Sequence, residues 1–225
     1  MATLKQGELF KPELVKQMFS KVQGRSTLAK LSNQTPIPFA GVEQFIFNLD
    51  GNAEIVGEGG LKSANGATIT SKVIKPIKFV YQARITDEFK YASEEKQIEY
   101  ISLFADGFAK KIAEGFDIAA IHGLEPKSLT DASFRNINSF DGTVTANVVK
   151  YDATKPDDNI EQAVKQIVAK GGEVTGLALS TTLGGDLGSM KDTNKNHIFP
   201  EFRFGQNPDS FYGMKSDINK TLTIA

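Results

Sequence analysis

The stretch AEIVGEGGLKSANG, residues 53–66, places glycines at 57, 59, 60 and 66 around the pair Lys62-Ser63. A glycine-rich backbone with one lysine is the usual means of cradling a phosphate, since unhindered N–H groups and an ammonium surround the anion. Two features argue against that chemistry. Leu61 stands where the phosphate motif has the glycine that precedes its lysine. The residues that follow read as a strand, so the helix N-terminus whose amides would hold the anion is missing. The stretch is therefore expected to be the tip of a hairpin. A second glycine-bearing segment, LALSTTLGGDLG (177–188), lacks the G-x-G-x-x-G order and reads as a strand-to-helix connection.

The remaining candidates for chemistry are few. With no cysteine and only His122 and His197, thiolate catalysis, cysteine zinc sites and a multi-histidine metal site are excluded within one chain. His122, close to Asp117 at the end of a helical pattern, suits a capping role there. His197 lies in the polar turn DTNKNHIF and is expected to be solvated. The pairs Glu94-Glu95 and Asp157-Asp158 stand where helices begin, which accounts for them. In FPEFRFGQNPDSFYGMK (199–215) aromatics alternate with Arg203 and Lys215, a base-stacking vocabulary. The simpler reading makes Phe199, Phe202, Phe204, Phe211 and Tyr212 the core of a small sheet. No constellation amounts to an enzyme, and no cofactor is expected.

Composition bounds the rest. The 225 residues are 40% hydrophobic and 24% charged, ordinary values for a globular chain with one sizeable core or two small ones. With 26 basic and 27 acidic residues there is no basic surplus of the kind that marks a nucleic-acid binder. The N-terminus has no apolar signal core, and no run approaches the ~18–20 apolar residues of a membrane span, so the chain reads as soluble, unexported and intracellular.

The elements that would position these residues follow from periodicity. KPELVKQMFSKV (11–22) makes a short amphipathic helix, followed by a proline-bearing extended exit. VEQFIFNL (42–49) alternates as a half-buried strand through Phe45, Phe47 and Leu49, with AEIVGE as its continuation. TITSKVIKPIKFVYQARIT (68–86) reads as one long strand, ~60 Å if fully extended, with Pro76 at an edge or bend. Residues 93–122 carry a seven-turn helical pattern through Ile98, Ile101, Ala105, Phe108, Ile112, Phe116 and Ala119, with Ser93 as N-cap and Gly123 as stop. GTVTANVVKY is strand-like. A helix opening with an Asp158/Glu161 capping box then buries Ile160, Ala163, Val164, Ile167 and Val168 and ends at Gly171. The strand EVTGLALS, a turn with a short helix, and strand-like TLTIA complete the chain.

In order and wording these segments resemble the major capsid proteins of tailed double-stranded DNA bacteriophages, the Hong Kong 97 capsid fold. LFKPELVKQMFSKVQGRSTLAKLSNQTPIP is similar to that family's N-terminal arm, and AEIVGEGGLKSANGATITSKVIKPIKFVYQARITDEF to its extended loop and return strand. YISLFADGFAKKIAEGFDIAAIHG resembles the spine helix, including Glu114, Asp117 and Gly123. GLALSTTLGGDLGSMKDTNKNHIFPE and FYGMKSDIN resemble axial-domain segments, with Lys215 where the family usually has an apolar residue. The match covers nearly the whole chain.

The resemblance implies an α+β fold: an arm (1–40), an extended β-hairpin loop with return strand (41–86), a peripheral domain (87–152) with spine helix 93–122, and an axial α/β domain (153–225). Family members continue for many tens of residues beyond the match, so it leaves the axial domain incomplete. The implied function is a structural subunit that self-assembles into the icosahedral head of a virion around double-stranded DNA, made in the host bacterial cytoplasm. The partners implied are copies of itself in hexamers and pentamers, a portal and, where one is needed, a separate scaffolding protein, with no sequence-specific DNA contact and no membrane. Subunit contacts are expected from loop residues Glu54, Glu58, Gly59, Gly60, Lys62 and Asn65, and from arm residues Phe10, Leu14 and Arg25. An encapsulin-like compartment of the same fold, or a small phosphate-binding enzyme, are the alternatives.

Overall fold

A computed structural model of the chain describes residues 16, 20–22, 24–49, 51–61, 64–74, 76–81, 94–144 and 146–223. It contains two compact units, residues 35–78 and the body formed by the rest of the chain. In chain order the elements are α1 (Thr27–Leu31), β1 (Val42–Leu49), β2 (Ala67–Ile74), α2 (Glu94–Asp117) with a π-turn Ile118–His122, and the short helices α3 (Arg135–Asn138) and α4 (Phe140–Thr143). Then come α5 (Pro156–Ala169), β3 (Gly176–Leu179), α6 (Thr181–Ser189), β4 (Ser210–Phe211) and β5 (Met214–Ile218), with 3₁₀ turns at Pro200–Gly205 and Lys220–Leu222. This is the mixed helix-and-sheet class the sequence implied.

In the smaller unit β1 and β2 pair antiparallel from Val42↔Ile74 to Leu49↔Ala67. Each strand has eight residues, about 27 Å long, less than half the expected reach. Two expectations fail here. Residues 53–56 do not continue β1, and β2 ends at Ile74, ahead of Pro76, which has no N–H to give a ladder. Residues 82–86 of the expected strand lie outside the described residues. The register puts Phe45, Phe47, Leu49, Ile69 and Val73 on one face. That face is not half-buried: these side chains are 47 to 73% exposed.

The body is built on α2, ~36 Å of α-helix. Its buried line is Ala105, Ala109 and Ala113, small side chains that allow close approach, flanked by half-buried Ile101, Phe108, Ile112 and Phe116. Phe79 and Tyr81 meet Phe116 and Phe108 edge to face, at centroid distances of 6.1 and 6.2 Å. The α-helical repeat gives way to a π-turn after Asp117, and Gly123 ends the helix in the left-handed region (φ 67°), the stop expected of it. Ser93, the expected N-cap, is outside the described residues.

Beyond α2 the sheet is ordered β3-β5-β4, with β3 and β5 parallel and β4 and β5 antiparallel. Its core joins Ile160, Leu179, Leu187, Phe199, Phe202 and Phe211. Phe211 meets Phe199 and Phe202 edge to face at 5.3 and 5.0 Å. The other two aromatics assigned to this core, Phe204 and Tyr212, are instead exposed, each at a positive-φ turn ahead of a glycine. Helix α5 begins at Pro156, which suits the first helical position, so Asp158 sits inside the first turn and not at an N-cap. Only Ile160, Ala163 and Val164 of its predicted face are covered; Ile167 and Val168 are exposed. Of GTVTANVVKY no described residue forms a strand, because Ser139 caps the short helix α4 there, its Oγ accepting from Gly142 N at 3.1 Å. Residues 220–222 form a 3₁₀ turn capped by Asn219, not a strand.

The glycines of LGGDLG serve packing. A Cβ at Gly188 would lie 2.7 Å from the Phe202 carbonyl oxygen, whereas one at Gly185 meets open space. Gly188→Ala is expected to destabilise the protein by roughly 1–3 kcal/mol. Gly185→Ala, exposed in the same helix, should be neutral or stabilising by about 0.5–1 kcal/mol, and urea unfolding of the two variants checks the contrast.

Candidate functional site

Ser26-Thr27 opens α1, and the sequence TLAKL after a serine is an N-cap followed by helix formers. Ser26 Oγ accepts from Ala29 N at 3.1 Å and donates to Asp117 Oδ1 at 2.6 Å. Asp117 continues the i, i+4 line of Ala105, Ala109 and Ala113 and is fully buried. Its carboxylate also accepts from the amides of Thr27 (2.9 Å) and Leu28 (3.3 Å) and from Asn219 Nδ2 (3.3 Å). Those amides belong to the first turn of α1 and have no partner within the helix. A carboxylate at the end of α2 thus completes the start of α1, whose positive dipole end attracts it.

A second buried carboxylate stands beside the first. Asp217, on β5, accepts from the Thr27 hydroxyl, from Lys30 Nζ at 2.8 Å and from Asn207 Nδ2 at 3.0 Å. Asn219 Nδ2 reaches Thr27 Oγ1 at 2.9 Å, closing the network. Burial works to raise the Asp217 pKa, but the hydrogen bonds from Lys30, Thr27 and Asn207 outweigh it and hold the carboxyl below its ordinary 3.8. Upstream, Lys21 Nζ and the Arg25 guanidinium meet Asp106 on α2, at 2.8 and 3.5 Å. The Lys21 hydrogen bond lowers the Asp106 pKa as well.

Both buried carboxylates have their oxygens occupied by donors from the protein itself. A cleft of about 260 Å³ along α2, lined by Tyr81, Phe104, Phe108, Lys110, Glu114 and Lys220, holds one carboxylate. Lys220 and Lys111 pair with it at 3.0 and 3.3 Å. Among the described residues no group of three or more acidic or histidine side chains could hold a metal. His122 does not cap its own helix: its ring bridges Asp141 Oδ2 (Nδ1, 2.6 Å) and the Thr221 carbonyl (Nε2, 2.9 Å). His197 is half-buried against the Gly188 carbonyl, not solvated.

The predicted contact residues fall into three groups. In the hairpin loop the Gly60 amide donates to the Gly57 carbonyl at 2.9 Å, with Gly59 at φ 82°. This is the position where a tight turn needs glycine. Glu54 and Glu58 are exposed beside it, and Asn65 donates to the Asn52 carbonyl at 3.2 Å across the loop base. Gly57, Gly59 and Gly60 therefore shape a tight turn at the tip. In LALSTTLGGDLG, likewise, the Leu183 amide is taken by Ser180 Oγ at 3.1 Å. Arg25 is engaged within the chain, as above, while Lys62, Phe10 and Leu14 lie outside the described residues. The sequence reading missed the network of Ser26, Thr27, Lys30, Asp217 and Asn219. Its legible signals were the serine N-cap and a lone aspartate on a helix line of alanines.

In the body, buried polar groups join segments distant in sequence, and in the hairpin unit the apolar face is exposed. The chain matches the phage capsid family over residues 6–222 and belongs to that family. Among solved structures it is similar to a chain of Mycobacterium phage Ogopogo, at 28% identity and a TM-score of 0.69, over 88% of this chain and 64% of that one. It is also similar to chains of Gordonia phage Cozz (19%, TM-score 0.65, 87% and 62% covered) and Mycobacterium phage Bobi (21%, 0.56, 87% and 64%), likenesses that show the fold. The chain thus spans a little under two thirds of the length of these phage chains. No curated protein sequence matches it.

Two outcomes follow for the network. Asp117→Ala leaves the Ser26 hydroxyl, the buried Thr27 amide and the half-buried Leu28 amide without this acceptor, at ~1–3 kcal/mol for each buried unsatisfied group, so a loss of about 3 kcal/mol is expected in urea unfolding. Because the Asp217, Asp106 and Glu114 pKa values are all depressed in the fold, their contribution is complete above the ordinary carboxylate range and is lost as pH falls through the lower folded values. The melting temperature should hold between about pH 7 and 5 and drop below about pH 4. Asp217→Asn should flatten that acid limb.

Proposed function

We propose that this chain is a subunit of the icosahedral head of a tailed phage, and that its work is contact with copies of itself around packaged double-stranded DNA. The observation that carries the reading is the exposed apolar face of the hairpin, Phe45, Phe47, Leu49, Ile69 and Val73, which the described residues of its own unit leave open. Family membership supplies the context in which such a face is covered by neighbours. In this reading the extended loop, with Glu54, Glu58, Gly59, Gly60, Lys62 and Asn65, lies over a neighbouring subunit, where charge pairing sets register. The arm, with Phe10, Leu14 and Arg25, reaches across another. The body divides into a peripheral part on α2 and an axial part on the three-stranded sheet. Rings of such subunits need heterologous interfaces that close, as hexamers and pentamers do. A portal and a scaffolding protein are further partners of this reading, and the virion is its location. The near-neutral charge suits a shell that need not neutralise the genome it encloses.

The test is electron microscopy of the expressed full-length protein beside a variant lacking residues 57–66. Closed particles tens of nanometres across are expected from the intact protein. The deletion, which removes the loop tip and leaves both strands, should give soluble subunits and no normal shells. Intact particles from the deletion would count against the loop as a contact element.

A further inference from the structure

The contacts that hold α1 to the body are of a different kind from those that hold the body together. Ser26 and Thr27 are its buried residues, and both are polar; Leu28, Ala29 and Leu31 are only half-buried. The seat that receives them is made of Asp117, Asp217, Asn207 and Asn219. The body braces that seat by itself: Asn207 accepts from the Ile218 amide at 2.8 Å while donating to Asp217, and the Asn219 amide donates to the Leu179 carbonyl at 3.0 Å. Withdrawing α1 hands two carboxylates, two hydroxyls and a few amides to water, which satisfies such groups well. The apolar side chains it uncovers are the half-buried Leu28, Ala29 and Leu31, the last of them against Gly176, whereas unfolding the sheet exposes the whole Phe-Leu core.

The described chain on both sides of α1 lies largely at the surface. Upstream, Lys21 and Arg25 meet Asp106 in an ion pair whose side chains are about two-fifths exposed, the kind that contributes little. Downstream, residues 32–40 are all exposed and carry Pro36 and Pro38, which keep the connector to the hairpin extended.

We propose that residues 26–31 are a polar latch that opens as one unit well before the body unfolds, and that opening it releases the arm side and the hairpin connector together. Lys30 is the outer clasp and the Ser26-Thr27 pair the inner one.

Native-state hydrogen exchange across sub-denaturing urea, on the unassembled full-length subunit, tests this independently of whether shells form. The amides of Thr27, Leu28 and Ala29 should exchange as a group, after correction for intrinsic rates, at least ~10-fold faster than the amides of residues 177–179, with rates nearly flat in urea while the strand rates rise steeply. Lys30→Gln removes the outer clasp and leaves the buried atoms in place. It should speed the latch amides ~3–10-fold while keeping their flat urea dependence. Thr27→Val should speed them further. Latch and strand amides that share one rate and one urea slope in the unaltered protein would overturn the proposal, and latch rates unmoved by Lys30→Gln would overturn the clasp.

Discussion

A carboxylate removed from water must find replacement donors, and Asp117 finds them on a segment 90 residues away in sequence, the hydroxyl and amides of residues 26–28. That requirement organises the body. It sets how far the N-terminal segment is drawn in against the end of α2. It also fixes where β5 lies, because Asn219, just past that strand, shares both Asp117 and Thr27. Asp217 adds a second anchor on the same segment, neutralised by Lys30. Three pieces of chain that an apolar core alone would leave free to slide are thereby held at defined positions, since hydrogen bonds to charged groups are directional and costly to leave unmade.

The hairpin is governed by a different balance. Its ladder satisfies the backbone, but its apolar face is exposed among the described residues, and two isolated strands are marginal in water. In the proposed shell the missing partner is another subunit, so the hairpin's stability and its function are the same interaction. The contrast with the body is useful to an assembling protein. The body has a buried core of its own, and in the proposed shell the hairpin gains its cover by contact.

Much of this was legible in the residues. The spine helix, its glycine stop, the β1 strand and the tip character of residues 57–60 follow from periodicity and turn chemistry. Errors arose where local pattern competed with tertiary or backbone constraints. Strand-like TLTIA gives way over residues 220–222 to a turn capped by Asn219, and Pro76 cannot donate to the ladder that its alternating neighbours suggested. Phe204 and Tyr212 look like core residues by type, yet each stands beside a glycine at a turn that points it outward. The polar network was the hardest part to read. Ser26 and Asp117 each carry a local signal, a cap and a charge on an alanine line, but their pairing depends on a fold that brings positions 26, 117 and 217 together.

The most direct test of this account is a double-mutant cycle between Ser26→Ala and Asp117→Asn, read by urea unfolding. If the buried carboxylate and the N-terminal segment depend on one another, the two losses will be non-additive, with a coupling of about 1–3 kcal/mol. Losses that simply add, within ~0.5 kcal/mol, would contradict the claim that this contact holds the body in register.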